Sequence, residues 1–239
     1  MTADLGTAAD RWRAVHVSPL MVRNLFLHKD LQETLNRVAG LARDILGSDA
    51  VGVVLVQHEA MTTAAATEAA VHHAGALQLA CSEGPSVDAI VERRHSVVDD
   101  LRLERRWRFW APQAAQLGWR SVMSVSLADE NTLGALSLYS RRPQAFTAAH
   151  LGTAEEYAQH AALALAISHE RAHLLHAVDN RTLIGQAQGV LMQRYNIDAD
   201  QAITVLRRYS SHTNRKLRHI AQDIVRDRCL PEQPIAGPR

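Results

Sequence analysis

The run Arg120–Tyr139, RSVMSVSLADENTLGALSLY, decides the architecture of the first two-thirds of the chain. Two β-like segments, Arg120–Leu127 and Leu133–Tyr139, interleave Val, Leu and Tyr with small residues, and Asp129-Glu130-Asn131 between them supplies the polar turn of a hairpin. Upstream, Ala50–Gln57 (AVGVVLVQ) and Met61–Thr67 are split by a short polar break and read as a second hairpin. Ahead of that, Leu31, Leu35, Val38, Ala42 and Ile45 recur at three- and four-residue steps between His28 and Gly47, the spacing of an amphipathic helix with a glycine at its C-cap. Between the hairpins, Ser82–Ser86 reads as a turn, with Ser86 capping a short helix that holds Val87, Ile90 and Val91. Ser96–Val98 is short and extended, and a Trp-rich helix runs from about Trp107 to Leu117, ending at Gly118. Together these elements specify an α+β domain: an antiparallel sheet with helices on one face and room for a pocket on the other.

Working toward the C-terminus, Leu151, Ala154, Ala158, Ala161, Leu165, Ser168, Ala172 and Leu175 step by three and four. That stripe suits a coiled-coil seam between two copies, and it equally suits a last helix lying on its own sheet. Leu183, Ile184, Ala187, Val190 and Leu191 extend a helix to Tyr195-Asn196. Asp198 caps a second helix, Ala199–Tyr209, and a third runs from about Asn214 to Asp227 with Leu217, Ile220, Ala221, Ile224 and Val225 inward. Three short helices with one apolar face each make a miniature all-α bundle.

Composition narrows the class. Of 239 residues, 47 % are hydrophobic and 21 % charged, enough apolar material for real cores in one to two domains. No window approaches the ~18 apolar residues of a membrane span, and the N-terminus lacks a signal-like apolar region, so a cytoplasmic protein without membrane attachment is expected. Two cysteines far apart, Cys81 and Cys229, form neither a disulfide framework nor a metal knuckle. The net charge of +1 hides an asymmetry: ten basic residues face six acidic ones from His173 onward, a balance of +4, whereas residues 1–172 carry −3. A basic end beside an acidic front suits a polyanionic partner, although a solvated helix face would also be basic.

The C-terminal string Ile184-Gly185-Gln186-Ala187-Gln188-Gly189-Val190-Leu191-Met192, followed by Ala202, Leu206, Arg207, Ser210, Asn214-Arg215-Lys216-Leu217 and Ala221, closely resembles the ANTAR family. The resemblance implies an RNA-binding, three-helix domain that grips tandem stem-loops of leader transcripts, usually as a homodimer, and favours an antiterminator over a terminator hairpin. Where that family often carries Lys between Ala and Gly, this chain has Gln188, which removes one phosphate contact. Glu83–Ala89, Val97–Leu101, Arg106-Trp107, Arg120–Val125 and Gly134–Tyr139 resemble GAF domains, specifically those joined to ANTAR domains in actinobacteria. That resemblance implies a sensor for a small molecule or partner, of unknown identity. The organisation expected is therefore an N-terminal extension (1–27), a GAF-like sensor (28–167), a linking coiled-coil helix (168–180), an ANTAR-like domain (181–228) and a flexible tail (229–239). Loop bases, 2′-hydroxyls and phosphates of RNA call for cations, amides and hydroxyls on a rigid surface. Arg207, Arg208, Ser210, Asn214, Arg215, Lys216 and Arg218 are the candidate contacts, with Arg181, Gln188 and Arg194 on the first helix.

Two other readings have a basis in the residues. A three-helix basic domain also occurs in DNA-binding transcription factors, but no helix here offers a run of base-reading residues after a tight turn. His169-Glu170-Arg171-Ala172-His173 matches the zinc hydrolase string H-E-x-x-H, yet it falls on a linking helix without an evident cleft. No Gly-rich phosphate loop, Ser/His/Asp set, kinase signature or phospho-receiver pattern is found, so a non-enzymatic regulator without cofactor or catalytic residues is expected. Trp107, Trp110 and Trp119 read as core, with a pocket lining as the alternative.

Overall fold

The computed structural model describes residues 23–26, 30–57, 60–128 and 132–230. Most of the expected N-terminal extension, the Asp129–Asn131 turn and Pro231–Arg239 lie outside them.

Among these residues, strands β1 (Ala50–Gln57), β2 (Ala60–Ala66), β3 (Ser96–Val98), β4 (Ser121–Ala128) and β5 (Thr132–Ser140) form one antiparallel sheet in the order β2-β1-β5-β4-β3. The two hairpins are zipped together by β1 and β5, with Val51 opposite Leu138 and Val53 opposite Leu136. Alternation along a strand sends successive side chains to opposite faces. One face of the sheet gives Val51, Val53, Leu55, Met123, Val125, Leu127, Leu136 and Leu138 to a core shared with α1 (Leu31–Ile45) and the start of α5 (Ala148–Tyr195). The other face gives Val54, Val122, Ala135 and Tyr139 to cores shared with α2 (Ala69–Cys81), α3 (Pro85–Val91) and α4 (Trp110–Gln116). Helices therefore cover both faces, not one. The continuous apolar run AVGVVLV of β1, with its first six residues buried, is the composition of a strand that meets no water on either side.

Several local expectations shift for identifiable reasons. Ser86 does not cap α3. Gly84, at φ 130°, takes the N-cap position and Pro85 opens the helix, where its missing N–H costs nothing. The Trp-rich helix begins at Trp110, and Trp107 lies before it with its indole N–H donating to Asp88 Oδ2 (3.2 Å). All three tryptophans, Trp107, Trp110 and Trp119, are buried core. The seam candidate on α5 is consumed within the chain as far as Ser168. Ala154, Ala158, Ala161 and Leu165 pack into the sheet core, and Ser168 Oγ shares a 2.8 Å hydrogen bond with Thr34 Oγ1 of α1. Small alanines let this helix approach the sheet closely, which is the alternative the stripe had left open.

Helix α5 runs unbroken for 48 residues, so the linking segment and the first helix of the C-terminal bundle are one element. Beyond it lie α6 (Ala199–Thr213), one turn longer than expected, and α7 (Leu217–Asp227). The chain divides between Glu170 and Arg171 into two compact units. Among the described residues, the core of the second has seven buried apolar residues, Ala187, Leu191, Ala202, Leu206, Ile220, Ala221 and Ile224, with partly buried ones such as Ile184, Ile203 and Leu217 packed against them.

At the β3 end of the sheet, Arg120 clasps Asp100 with two bonds, Nε at 3.1 Å and Nη2 at 2.6 Å. The guanidinium hydrogen bond holds the Asp100 carboxyl below its ordinary pKa. A lowered carboxylate pKa contributes stability above the unfolded-state value of about 4 and loses it as pH falls through the folded value. Urea midpoints measured between pH 6 and pH 2.5 are expected to fall more steeply below about pH 4 in the wild type than in Asp100→Asn. Parallel acid limbs would show that the clasp contributes nothing.

Candidate nucleic-acid interface

Helix α6 starts where Asp198 and Gln201 cap each other. Asp198 Oδ1 accepts from the Gln201 N–H (2.7 Å) and Gln201 Oε1 accepts from the Asp198 N–H (3.1 Å). This reciprocal box satisfies two of the helix's unpaired donors and is worth about 1 kcal/mol. The helix ends at Asn214, whose left-handed conformation (φ 50°) suits asparagine and sends its N–H back to Ser210 O. Ser210 Oγ donates to Arg215 O at 2.6 Å, and Arg215 Nη2 donates to Asp223 Oδ2 at 2.6 Å. Ser210, Asn214 and Arg215 thus stiffen the α6–α7 turn. The cations around it are left outward: Arg207, Arg208, Lys216 and Arg218 are exposed, and none is paired with a carboxylate among the described residues. Lys216 sits at the N-cap of α7 without capping it, so its charge adds to the partial positive charge of that helix start.

The three candidates on α5 behave differently. Arg181 is exposed. Gln188 is half-buried, and its amide donates to Ala199 O at 3.1 Å, bracing α5 against the start of α6. Arg194 Nη1 donates to Arg228 O at 3.0 Å, at the far end of α7 from Lys216. The 11 residues of α7 separate these ends by about 16 Å at 1.5 Å per residue. Arg194 therefore lies apart from the cation cluster at the α6–α7 turn.

Beside Arg194 lies a groove of about 640 Å³ lined by Gln186, Val190, Gln193, Arg194, Val225 and Arg228. Gln186, Gln193 and Arg228 were not among the sequence candidates. The legible signal was the spacing of 186, 190 and 193, which places them on one helix face. On the adjoining face, a Cβ added at Gly185 or Gly189 would meet nothing within 4 Å. A mid-helix glycine costs about 0.5–1 kcal/mol relative to alanine, and no close packing within the chain uses either one.

In the first unit, the face where a pocket was expected holds a buried polar network. The Gln78 amide donates to Ser86 Oγ (3.0 Å) and Tyr139 Oη (3.2 Å), while its Oε1 accepts from the Ser86 N–H (2.8 Å). Ser86 Oγ meets Ser137 Oγ at 2.7 Å, and Ser137 in turn bonds to Ser124. Burial pushes the Tyr139 hydroxyl well above its ordinary pKa. An open depression of about 520 Å³ elsewhere on this unit is lined by Asp99, Asp100, Leu103, Glu104, Pro143 and Gln144.

His169 is half-buried while Glu170 and His173 are exposed on α5. Among the described residues no group of three or more His, Cys, Asp or Glu is arranged to hold a metal ion, and no helix is long and apolar enough to cross a membrane.

By family comparison, a sensor-type domain, the five-stranded sheet covered by helices on both faces, is joined to an effector-type domain, the small three-helix unit, in the architecture of a regulator. The chain belongs to the GAF domain family, whose profile matches residues 28–166, and it carries an ANTAR domain over residues 172–225. No curated protein matches it significantly. Among solved structures it is similar to free methionine-R-sulfoxide reductase from Neisseria meningitidis in complex with its substrate (18 % identity, 71 % of this chain and 95 % of that one, TM-score 0.53). It is also similar to the GAF domain of a phosphoenolpyruvate-protein phosphotransferase from Coxiella burnetii (13 % identity, 72 % and 99 %, TM-score 0.53). A third is a domain of a sensor histidine kinase protein from Sinorhizobium meliloti 1021 (16 % identity, 63 % and 99 %, TM-score 0.50). At these identities the likeness concerns the fold.

Proposed function

We propose that this chain is a cytoplasmic, non-enzymatic antitermination regulator of the actinobacterial kind. In this reading the GAF domain senses a small molecule or partner, and the ANTAR domain binds tandem stem-loops of leader RNA. The observation that carries it is the set of four exposed cations, Arg207, Arg208, Lys216 and Arg218, arranged around a turn that Ser210, Asn214 and Arg215 hold rigid. Phosphates need such charges in a fixed frame, and in RNA the specificity comes from loop bases splayed beside them. The domain plan of the sequence reading (sensor 28–167, linking helix 168–180, RNA-binding domain 181–228) goes with this proposal. So does a homodimer: Leu174, Leu175 and Val178 of α5 are 62 %, 52 % and 61 % exposed, an apolar stretch that a second copy would cover.

The mechanism is a binding equilibrium. A ligand shifts RNA affinity only by its differential affinity for two arrangements of the protein, and moving a population from 1:99 to 99:1 takes about 5.5 kcal/mol. Modest switching is the physical expectation.

Binding of a tandem stem-loop RNA to the wild type and to Arg207→Ala/Lys216→Ala, followed across salt concentrations with duplex DNA as competitor, tests the reading. The double variant is expected to bind more weakly, with a slope of log K against log salt shallower by about 1.5–2, because two phosphate contacts are lost. Equal competition by duplex DNA would transfer the assignment to a DNA-binding factor. A wild type that binds neither would end both.

A further inference from the structure

We infer that the α5–α7 groove of the ANTAR domain is a second RNA-contact site that takes one unpaired nucleotide, separate from the cation cluster at the α6–α7 turn. The inference rests on the RNA-binding reading above. The groove's volume, about 640 Å³, falls in the range of sites that enclose small ligands. Its lining has the chemistry of a nucleotide in the right proportions. Val190 and Val225 offer an apolar wall for a base face, Gln186 and Gln193 offer paired amide donors and acceptors for a base edge, and Arg194 and Arg228 offer guanidinium forks for phosphate.

Charge bookkeeping around the groove favours an anion. The α7 carboxylates beside it are already engaged: Asp223 by Arg215 and Arg226, and Asp227 by Arg226. Arg194 spends one donor on the Arg228 carbonyl and keeps four N–H groups for an incoming acceptor. Two helix C-termini, those of α5 at Tyr195 and α7 at Asp227, meet here, each with a partial charge near −0.5. Against them stand two full positive charges, so the groove remains net positive by about one unit. That balance suits one bridging phosphate and a neutral base, not a run of phosphates. The amides and valines therefore carry the selectivity, and the arginines hold the backbone. The bare surface of Gly185 and Gly189 beside Gln186 and Gln193 leaves the rim open to a chain passing over it.

The test uses the full-length protein and a tandem stem-loop RNA in which each loop base in turn is replaced by an abasic nucleotide. In the wild type one abasic position is expected to weaken binding three- to tenfold, the worth of a hydrogen bond or two. In Gln193→Ala, binding of the intact RNA falls by the same factor, and that same abasic position loses its effect while all others keep theirs. Arg228→Ala is expected to reduce the salt slope by about 1 and leave the abasic pattern intact. Gln193 is exposed within α5, where alanine suits the helix, and Arg228 is exposed at the left-handed C-cap of α7 (φ 53°), where one L side chain replaces another; unchanged circular dichroism confirms the fold. An abasic profile identical in wild type and Gln193→Ala, with RNA binding otherwise normal, would overturn the groove assignment alone. Loss of all RNA binding by the wild type would overturn it together with the proposed function.

Discussion

Replacing Gly134 by alanine is expected to destabilise the GAF domain by about 3 kcal/mol, the upper end of the cost of overpacking. Gly134 lies in β5 between two strands, opposite Leu55 of β1 and Leu127 of β4. A Cβ placed there would stand 1.9 Å from Val54 O and 2.9 Å from Val54 C, both backbone atoms. A clashing side chain can change rotamer, but a clashing carbonyl moves only with its strand, and β1 is paired on both edges. The β1–β5 register must therefore open where the two hairpins join. In a domain of this size each kcal/mol is worth about 2–4 °C, so the melting temperature should fall by roughly 6–12 °C. Gly40→Ala and Gly152→Ala are the controls, because a Cβ at either helical site meets nothing within 4 Å. Both are expected to raise the melting temperature slightly, as helical Gly→Ala changes do at open sites. Scanning calorimetry of the three variants checks the contrast. A Gly134→Ala protein melting with the wild type would mean that the strands separate at negligible cost.

The Gly134 contact also marks the boundary of what the residues disclose on their own. The hairpins were legible because β-branched runs broken by polar turns have few other solutions, and the eight-residue stripe on α5 was legible as a periodicity. What that stripe faces was not. Ala154, Ala158, Ala161 and Leu165 present the same pattern to a sheet as to a second helix, and only the tertiary structure assigns them to the sheet. Ser86 has the side chain of an N-cap, yet Gly84 two residues earlier reaches φ 130°, which serine avoids, and Ser86 is left to complete a buried network with Gln78 and Ser137. In the ANTAR domain, charge alone could not separate Arg207 and Lys216, which stay outward, from Arg215, which is spent on Asp223. The partner lies eight residues away, a distance that a single-helix spacing rule does not reach across a turn. Gln188 was read as a lost phosphate contact, and its bond to Ala199 O shows an amide used for bracing α5 against α6.

Leu206→Ala is expected to unfold the ANTAR domain outright while the GAF domain stays folded. Leu206 is completely buried in a core whose seven buried members include three alanines, so Leu191, Leu206, Ile220 and Ile224 are its large fully buried side chains, with partly buried residues such as Ile203, Leu217 and Val225 packed around them. Removing a buried leucine costs about 2–5 kcal/mol, and a single core in a domain below about 70 residues rarely supplies more than 3–5 kcal/mol. The second compact unit, Arg171–Arg239, is of that size, so the loss is comparable to everything that holds it. The buried alanines Ala187, Ala202 and Ala221 have no side-chain reach to fill the cavity, so any relief must come from the partly buried rim of the core. The GAF cores on the two faces of the sheet contain none of these residues, so their melting transition should persist near the wild-type temperature. Circular dichroism is expected to show the loss of signal from about the 26 residues of α6 and α7, whose lengths are 15 and 11, and RNA binding is expected to vanish with it. Leu206→Met, close in volume, should keep both at a cost under about 1.5 kcal/mol, which separates the shape of the site from its position in the sequence. Retention of helicity and RNA affinity by Leu206→Ala would show that something other than this small core, such as contacts with a second copy along α5, provides most of the stability of the RNA-binding end.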